Sequence, residues 1–456
     1  MILVREKLSS AFFSDLYTFR RLRILPGALN SYDCIFQVLD TEAWMDGDLT
    51  GTLHLLPFND IKRFMPQPEQ ASITAIYGPP GMRKSTILGD LIGTTILKKK
   101  RFAFLSLSDN SNWPTYAFMP QMPIKGNKAY KFVTDKMKVK PQGIPVLILN
   151  VIRDFSELEE RGEVLTKYDR FLKVNDSRSF AFDFEKVLDE LARIAEEFGY
   201  PGPTGLIAIR NLERSATSSQ TTKRFNIEIQ NATNALDSFK SWRRNHTKIP
   251  CRVSFDEVKE VQMGQAKSRE QSQLGDLIEA GSNTARRHHY AMDFVGHLPG
   301  DISPRVRGFS NHVFWRNLPE ERSEAKSPLA TLLESLPIDP KDDPESLRES
   351  IRLLSNSESF AESGLFWWAD RRRKRIEPVY PMVAPFQNQV VGKDPIEVYE
   401  HFLHMNPSID RDKFYRKGAD LKFDWVAYSA DSQTKEPQDE DEDVGEAPES
   451  DENETW

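Results

Sequence analysis

Through the middle of the chain, apolar runs of strand length alternate with amphipathic stretches of helix length. ASITAIYG (71–78) is apolar and β-branched and predicts a buried strand. KSTILGDLIGTTILKKK (84–100) has apolar positions at helical spacing and closes on basic residues, which suit the negative end of a helix. RFAFLSLS (101–108), IPVLILNVI (144–152) and GLIAIRN (205–211) are further strand candidates. FEKVLDELARIAEEFGY (184–200) predicts an amphipathic helix closed by Gly199 and Pro201, and a long polar helical stretch follows over roughly 222–244. KIPCRVSFDEV (248–258) reads as a strand ending in two acids, 268–288 as a helix, and YAMDFVG (290–296) and HVFWRNL (312–318) as strands.

Strands alternating with helices predict an α/β domain with a mainly parallel sheet. Residues 1–70 form an N-terminal segment of mixed character with a strand near CIFQVLD (34–40). Residues 71–320 hold the α/β core, and 321–430 a C-terminal extension. Within the extension, 324–350 carries proline and charge, the signature of a linker with short helices, and 358–388 suits a hairpin. No internal repeat is present.

Charge adds a feature that the periodicity does not show. The chain has 456 residues, 61 basic against 68 acidic, for a net charge of −7. Residues 437–456 hold 10 of the acids and no base, so the remainder balances at 61 − 58, or +3. The body is mildly basic and 431–456 is expected to be a disordered acidic tail. That tail is either a solubilising end or an electrostatic mimic that shields a basic channel or docks a partner. The two cysteines, Cys34 and Cys251, argue for a reducing compartment and against a disulfide framework or zinc cluster. No apolar window reaches the length of a membrane span, and the first residues lack a signal-peptide pattern. The expected setting is cytoplasmic: host cytoplasm, or virion-associated if the source is viral.

YGPPGMRKST (77–86) carries the chemistry. It lies between the expected strand 71–78 and the helix that begins at Lys84. A phosphate loop has Gly, four residues, Gly, Lys, then Ser or Thr. Here Gly78 opens it and Lys84-Ser85 close it, with Arg83 where the second Gly belongs. Backbone N–H groups of Gly78, Pro79, Pro80, Gly81, Met82 and Arg83 (prolines excepted) would face phosphate oxygens at a helix N-terminus. Lys84 would reach the β- and γ-phosphates, Ser85 would hold Mg²⁺, and Thr86 sits beside it. Arg83 lies next to the helix start, where ordinary dihedrals suffice, so it reads as a tolerated variant. The expected ligands are ATP and Mg²⁺. Asp256-Glu257, after the run KIPCRVSF, supply the acidic half: Asp256 for the Mg²⁺ shell, Glu257 to polarise the attacking water. Asp154 of NVIRD is the rival acid, without an adjacent Glu.

SNTARRHHYAMDFVGHLPGDISPRVRGFSNHVFWRNL (282–318) resembles the segment that follows the acidic motif in the HerA/FtsK superfamily of DNA-pumping ATPases. The helix ends at Arg286-Arg287-His288, and the strand YAMDFVG leads to His297, where that family usually has a Gln sensor. Leu298-Pro299, the short helix ISPRVRG and the strand HVFWRNL follow. The resemblance covers roughly 70–320 and departs from the pattern at Arg83 and His297. It implies a P-loop (RecA-like) fold and an oligomeric ring that hydrolyses ATP to move double-stranded DNA without reading sequence, in a viral genome-packaging setting with a possible capsid partner. A cellular or plasmid DNA-processing ATPase is the near alternative. A terminase-like motor and a non-hydrolysing P-loop structural subunit are the other two. It implies a trans arginine finger, with Arg286, Arg287, Arg305, Arg307 and Arg316 as candidates and Arg307 and Arg316 ranked first. The long spacing from Lys84 to Asp256 implies an insertion over about 109–245. RRRKR (371–375), after Trp367-Trp368, is either a phosphate-binding run or a solvated charged loop, with WRRN (242–245) and KKKR (98–101) as weaker candidates.

Overall fold

The computed structural model describes residues 23–24, 36–39, 52–55, 68–82, 84–97, 101–105, 145–155, 164–174, 180–211, 218–256, 269–319, 327–338, 343–355, 366–381, 395–405, 407–416 and 421–429. Sixteen strands occur there: β1 (Arg23–Ile24), β2 (Phe36–Leu39), β3 (Thr52–Leu55), β4 (Ile73–Tyr77), β5 (Phe102–Leu105), β6 (Val146–Ile152), β7 (Asp169–Lys173), β8 (Phe180–Ala181), β9 (Gly205–Asn211), β10 (Cys251–Phe255), β11 (Tyr290–Gly296), β12 (His312–Trp315), β13 (Phe366–Asp370), β14 (Arg375–Pro381), β15 (Trp425–Val426) and β16 (Tyr428–Ser429). Fourteen form one sheet in the order β1-β3-β2-β14-β13-β12-β4-β11-β10-β5-β9-β6-β7-β15, and β8 pairs with β16 apart from it. From β12 to β15 every neighbouring pair is parallel. The pairs β12–β13, β13–β14 and β14–β2 are antiparallel. This is a mainly parallel α/β sheet, as the strand–helix alternation predicts.

Burial on both faces explains the composition of the central strands. All five residues of β4 and of β10, and all seven of β11, are buried. Parallel strands covered by helices on both sides read as near-continuous apolar runs. The covering helices include α1 (Lys84–Leu97), α2 (Phe184–Glu197), α3 (Ser218–Asn245), α4 (Arg269–Ala285) and α5 (Pro304–Phe309). On α1, Ile87, Leu88, Leu91, Ile92 and Ile96 are buried, a stripe that fixes the helix against the sheet. Asp183 caps α2 by accepting from the Glu185 and Lys186 N–H groups, and Ser303 caps α5 by accepting from Val306.

The stretch expected to be an insertion contributes β6, β7 and β9 to the same sheet beyond β5. There Gly205 is required: a Cβ would meet the Pro145 carbonyl oxygen at 2.4 Å. The expected hairpin is β13–β14, and the extension also supplies short helices at Pro328–Ser335 and Pro344–Ser355. Most of residues 1–67 and all of 106–144 and 430–456 lie outside the described residues, and the expectations for them stand untested. Among the described residues no helix is long and apolar enough to cross a membrane.

Candidate active site

The phosphate loop runs from the C-terminal end of β4 to the first turn of α1. β4 sits between β12 and β11, and β10 lies beyond β11. The C-terminal ends of these parallel strands therefore open on one edge, where an open α/β sheet binds its ligands. The loop itself, Asp256 after β10 and His297 after β11 all stand on that edge.

Two glycines shape the loop for different reasons. Gly78 has φ +155°, and a Cβ there would stand 2.9 Å from the Arg316 carbonyl oxygen, a backbone atom that cannot swing away. Gly81 has φ +78° with open space around it, so it is needed only for its backbone angle. Asn317, at φ 46°, reaches back and places its amide 3.6 Å from the Met82 sulfur. Thus β12 and the residues after it wall one side of the loop.

Lys84 is buried at the start of α1. Its ammonium donates to the Gly78 carbonyl at 2.7 Å and the Pro79 carbonyl at 2.9 Å, and lies 3.2 Å from His297 Nδ1. Nδ1 also lies 3.4 Å from the Gly78 carbonyl, but the shorter contact is to an ammonium, which can only donate, and it suits the tautomer with the lone pair on Nδ1 and the proton on Nε2. A histidine tautomer of that kind offers a donor on its outer nitrogen. Asp301 holds the histidine loop in place: its carboxylate accepts from the His297 N–H at 2.7 Å and the Leu298 N–H at 2.8 Å. Sequence reasoning passed over Asp301, although an Asp four residues after His297 in HLPGD is a turn signal.

Asp256 is 3% exposed, directly after β10, and Ser85 is half-buried in the first turn of α1. A helix N-terminus, a hydroxyl and a carboxylate thus stand at one edge, with a lysine on the loop. Among the described residues no group of three or more His, Cys, Asp or Glu could hold a metal by itself. Arg83 and Glu257 lie outside the described residues, as does the side chain of Thr86.

A buried polar network underlies these groups. Arg252 of β10 pairs with Asp293 of β11, and both are fully buried. Arg252 Nε donates to Thr95 Oγ1 of α1 at 3.0 Å, and Ser254 Oγ donates to Asp293 at 2.9 Å. Arg252 precedes Asp256 by four residues and Asp293 precedes His297 by four. One ion pair therefore ties together the phosphate-loop helix, the acidic strand and the histidine strand.

The arginine candidates separate by place. Arg316 is 6% exposed, donates its backbone N–H to Tyr77 and sets its guanidinium 5.9 Å from the Phe366 ring. That buried pose turns it inward, beside the phosphate loop of the same chain. Arg307 lies half-buried on α5, its Nε buried without a hydrogen-bond partner among the described residues. Burial pushes the Tyr77 phenol up, against the opposing pull of the Arg307 and Arg371 charges. Arg305 pairs with Glu279 at 3.1 Å. Arg286 and Arg287 follow α4, at the N-terminal edge of the sheet, away from the loop. The rival acid Asp154 is exposed beyond β6, the fifth strand from β4 in the sheet order, and so stands outside the group of adjacent strands.

Two of the basic runs lie among the described residues; Lys98–Lys100 of KKKR lie outside them. Arg371–Lys374 form the tight turn between β13 and β14. Trp367 stacks on Trp315 and Trp368 on Phe314, with both tryptophans buried, so this pair serves the core and offers no base-stacking surface. In WRRN, Arg243 is 1% exposed and donates to backbone carbonyls of His246, Thr247, Ile249, His288 and His289.

No family model matches the chain, and no curated protein does. Among solved structures it is similar to the genome packaging NTPase B204 of Sulfolobus turreted icosahedral virus 2, bound to ATP-gammaS, at 9% identity and a TM-score of 0.30, over 68% of this chain and 98% of that one. It is similar to VirB4 of Thermoanaerobacter pseudethanolicus at 12% identity and a TM-score of 0.35, over 74% and 95%. The pCW3 conjugation coupling protein TcpA matches at 9% identity and a TM-score of 0.29, over 82% and 72%.

Proposed function

We propose that this chain is an ATP-hydrolysing motor that moves double-stranded DNA, acting as a homo-oligomeric ring, with viral genome packaging as the preferred setting and conjugation or other plasmid DNA processing as the alternative. The observation that carries the ATPase half is the meeting of Lys84, Asp256 and His297 on one edge of adjacent parallel strands. The DNA half rests on the motif order over 282–318.

In this reading the loop N–H groups and Lys84 hold the phosphates of ATP at the start of α1. Ser85 and Asp256 would hold Mg²⁺, which when bound offsets the charge on the phosphates. Glu257 orients the attacking water and accepts its proton. His297, its Nδ1 turned to Lys84, offers Nε2–H toward the terminal phosphate, and Asp301 keeps that donor aimed. Arg316 acts from within its own subunit through the loop wall, which leaves Arg307 as the better candidate for a charge offered to a neighbouring copy.

The test is steady-state ATP hydrolysis with and without duplex DNA, for the chain and for Lys84→Ala and Glu257→Gln. Duplex-stimulated turnover, lost in both variants, is expected. Nucleotide binding without turnover under any condition would support a non-hydrolysing structural subunit, and absence of nucleotide binding would sink the reading.

A further inference from the structure

The edge opposite the phosphate loop, where the parallel strands begin, gathers exposed basic side chains from separate parts of the sequence. Arg244 and Lys248 precede β10, Arg286, Arg287 and His289 precede β11, and Arg372, Arg373 and Lys374 turn the β13–β14 hairpin; all are exposed. The register places them together: Cys251 pairs with Tyr290, Met292 with Ile73, Thr74 with His312, and His312 with Asp370. Two links fasten the turns, one buried and one at the surface. Arg243 donates to carbonyls of both the 246–249 turn and the 288–289 turn. Arg372 donates to the Gln70 carbonyl and Asn311 Oδ1, both at 3.2 Å, which joins the hairpin to the turns before β4 and β12.

Helix ends account for part of this charge, since α3 and α4 finish here and cations suit a helix C-terminus. They do not account for the hairpin, which ends no helix. Its turn is sharp, with Lys374 at φ 55°, and His289 at φ 54° makes the matching turn before β11. Among the described residues, Glu185 and Asp370 are carboxylates that pair with side chains of these turns. Glu185 pairs with His246 at 3.2 Å, and Asp370, 5% exposed, accepts from the backbone N–H groups of Arg372 and Arg373 and lies 3.6 Å from the Arg373 guanidinium, which leaves the other bases to carry the band's charge. Neighbouring strands are about 4.8 Å apart, so β13 to β10 spans about 19 Å. That length of duplex carries about 11 phosphate charges.

We infer that this edge is the surface that holds the phosphate backbone of duplex DNA. The inference rests on the DNA-motor reading and adds where the duplex lies: across the sheet from the nucleotide. Side chains on turns, with no groove-sized element to insert, suit contact without sequence readout.

The test measures binding of a fluorescent mixed-sequence duplex to the full-length chain across a salt series. The variants are Lys248→Gln, Lys374→Gln and the combination Lys248→Gln/Arg286→Gln/Arg287→Gln/Lys374→Gln; Arg372 and Arg373 stay, because they hold the hairpin turn. Each single change is expected to lower the slope of log affinity against log salt by about 1, and the combination by about 3 to 4, with at least a tenfold loss of affinity. Arg193→Gln on α2, outside the band, should leave the slope unchanged, and thermal unfolding checks that each variant folds. If the chain binds duplex and the singles and the combination bind it with the same slope, the surface is wrong while the motor reading stands. If the chain binds no duplex at any salt or nucleotide condition, both fall. If a peptide of residues 437–456 binds the band and duplex does not, the surface is a seat for the acidic tail and the inference is overturned.

Discussion

His312 makes the fold sensitive to acid in a way that can be isolated. It opens β12, beside the phosphate-loop strand, at 3% exposure. Its Nδ1 accepts from the Trp368 indole N–H at 3.2 Å, so the ring proton lies on Nε2. Burial, helped by the charges of Arg372, Arg252 and Arg373, lowers its pKa to about 3. The unfolded chain takes up this proton below about 6.5, and the folded chain resists it until about 3. Unfolding is thus coupled to proton uptake, and stability present above the unfolded value is lost as pH falls through that window. The linkage slope approaches about 1.4 kcal/mol per pH unit, so pH 6.5 to 4.5 costs about 2 kcal/mol from this one ring. That is a large share of the roughly 5–15 kcal/mol that holds a domain folded. His312→Gln keeps an acceptor for the indole N–H and removes the ionisation. Urea unfolding of both proteins from pH 7.5 to 4.5 should show the wild type losing about 2 kcal/mol more than the variant, while the shared carboxylates cancel in the difference. Parallel stability curves would refute the reasoning.

Gly78→Ala should weaken binding of a non-hydrolysable ATP analogue by at least tenfold, because its Cβ meets a backbone oxygen. Gly81→Ala should cost about 1–2 kcal/mol through its backbone angle alone, read as a small fall in Tm. Equal effects in the two variants would remove Arg316 as the wall of the loop. Asp293→Ala leaves Arg252 buried without its carboxylate and should cost about 3–5 kcal/mol in chemical denaturation, whereas Arg252→Met/Asp293→Leu should regain most of that loss. A double variant as unstable as the sum of its singles would show that the pair does not compensate itself.

The elements that carry the loop were legible because their local signals agree with their burial. β4, β10 and β11 are apolar runs that end in Gly78, Asp256 and His297, and their place in the sheet confirms the parallel fold. The helix expected over 184–200 is α2, with Asp183 as its cap. β7 was not legible. DRFLK opens on Asp169 and closes on a lysine, and the polarity hides that Asp169 is 1% exposed and accepts from Asn150 and both donors of Thr166. Arg243 and Arg252 were equally opaque, since an arginine in a polar run or beside a strand reads as solvent-facing until tertiary partners are known. WRRN suggested a contact for DNA, and the fold turns its first arginine inward. Trp367-Trp368, noted only as the pair before RRRKR, are core residues, and β12 covers both rings.

The five-carbonyl clamp at Arg243 has an electrostatic consequence. Among the described residues its hydrogen-bond partners are five backbone carbonyls and no carboxylate, so neutral dipoles solvate its charge and no acid cancels it. Its insulation from water also limits the screening that counterions give to exposed lysines and arginines. The sheet edge therefore rests on a permanent positive potential set by the path of the chain, which salt dims less than it dims the residues above it.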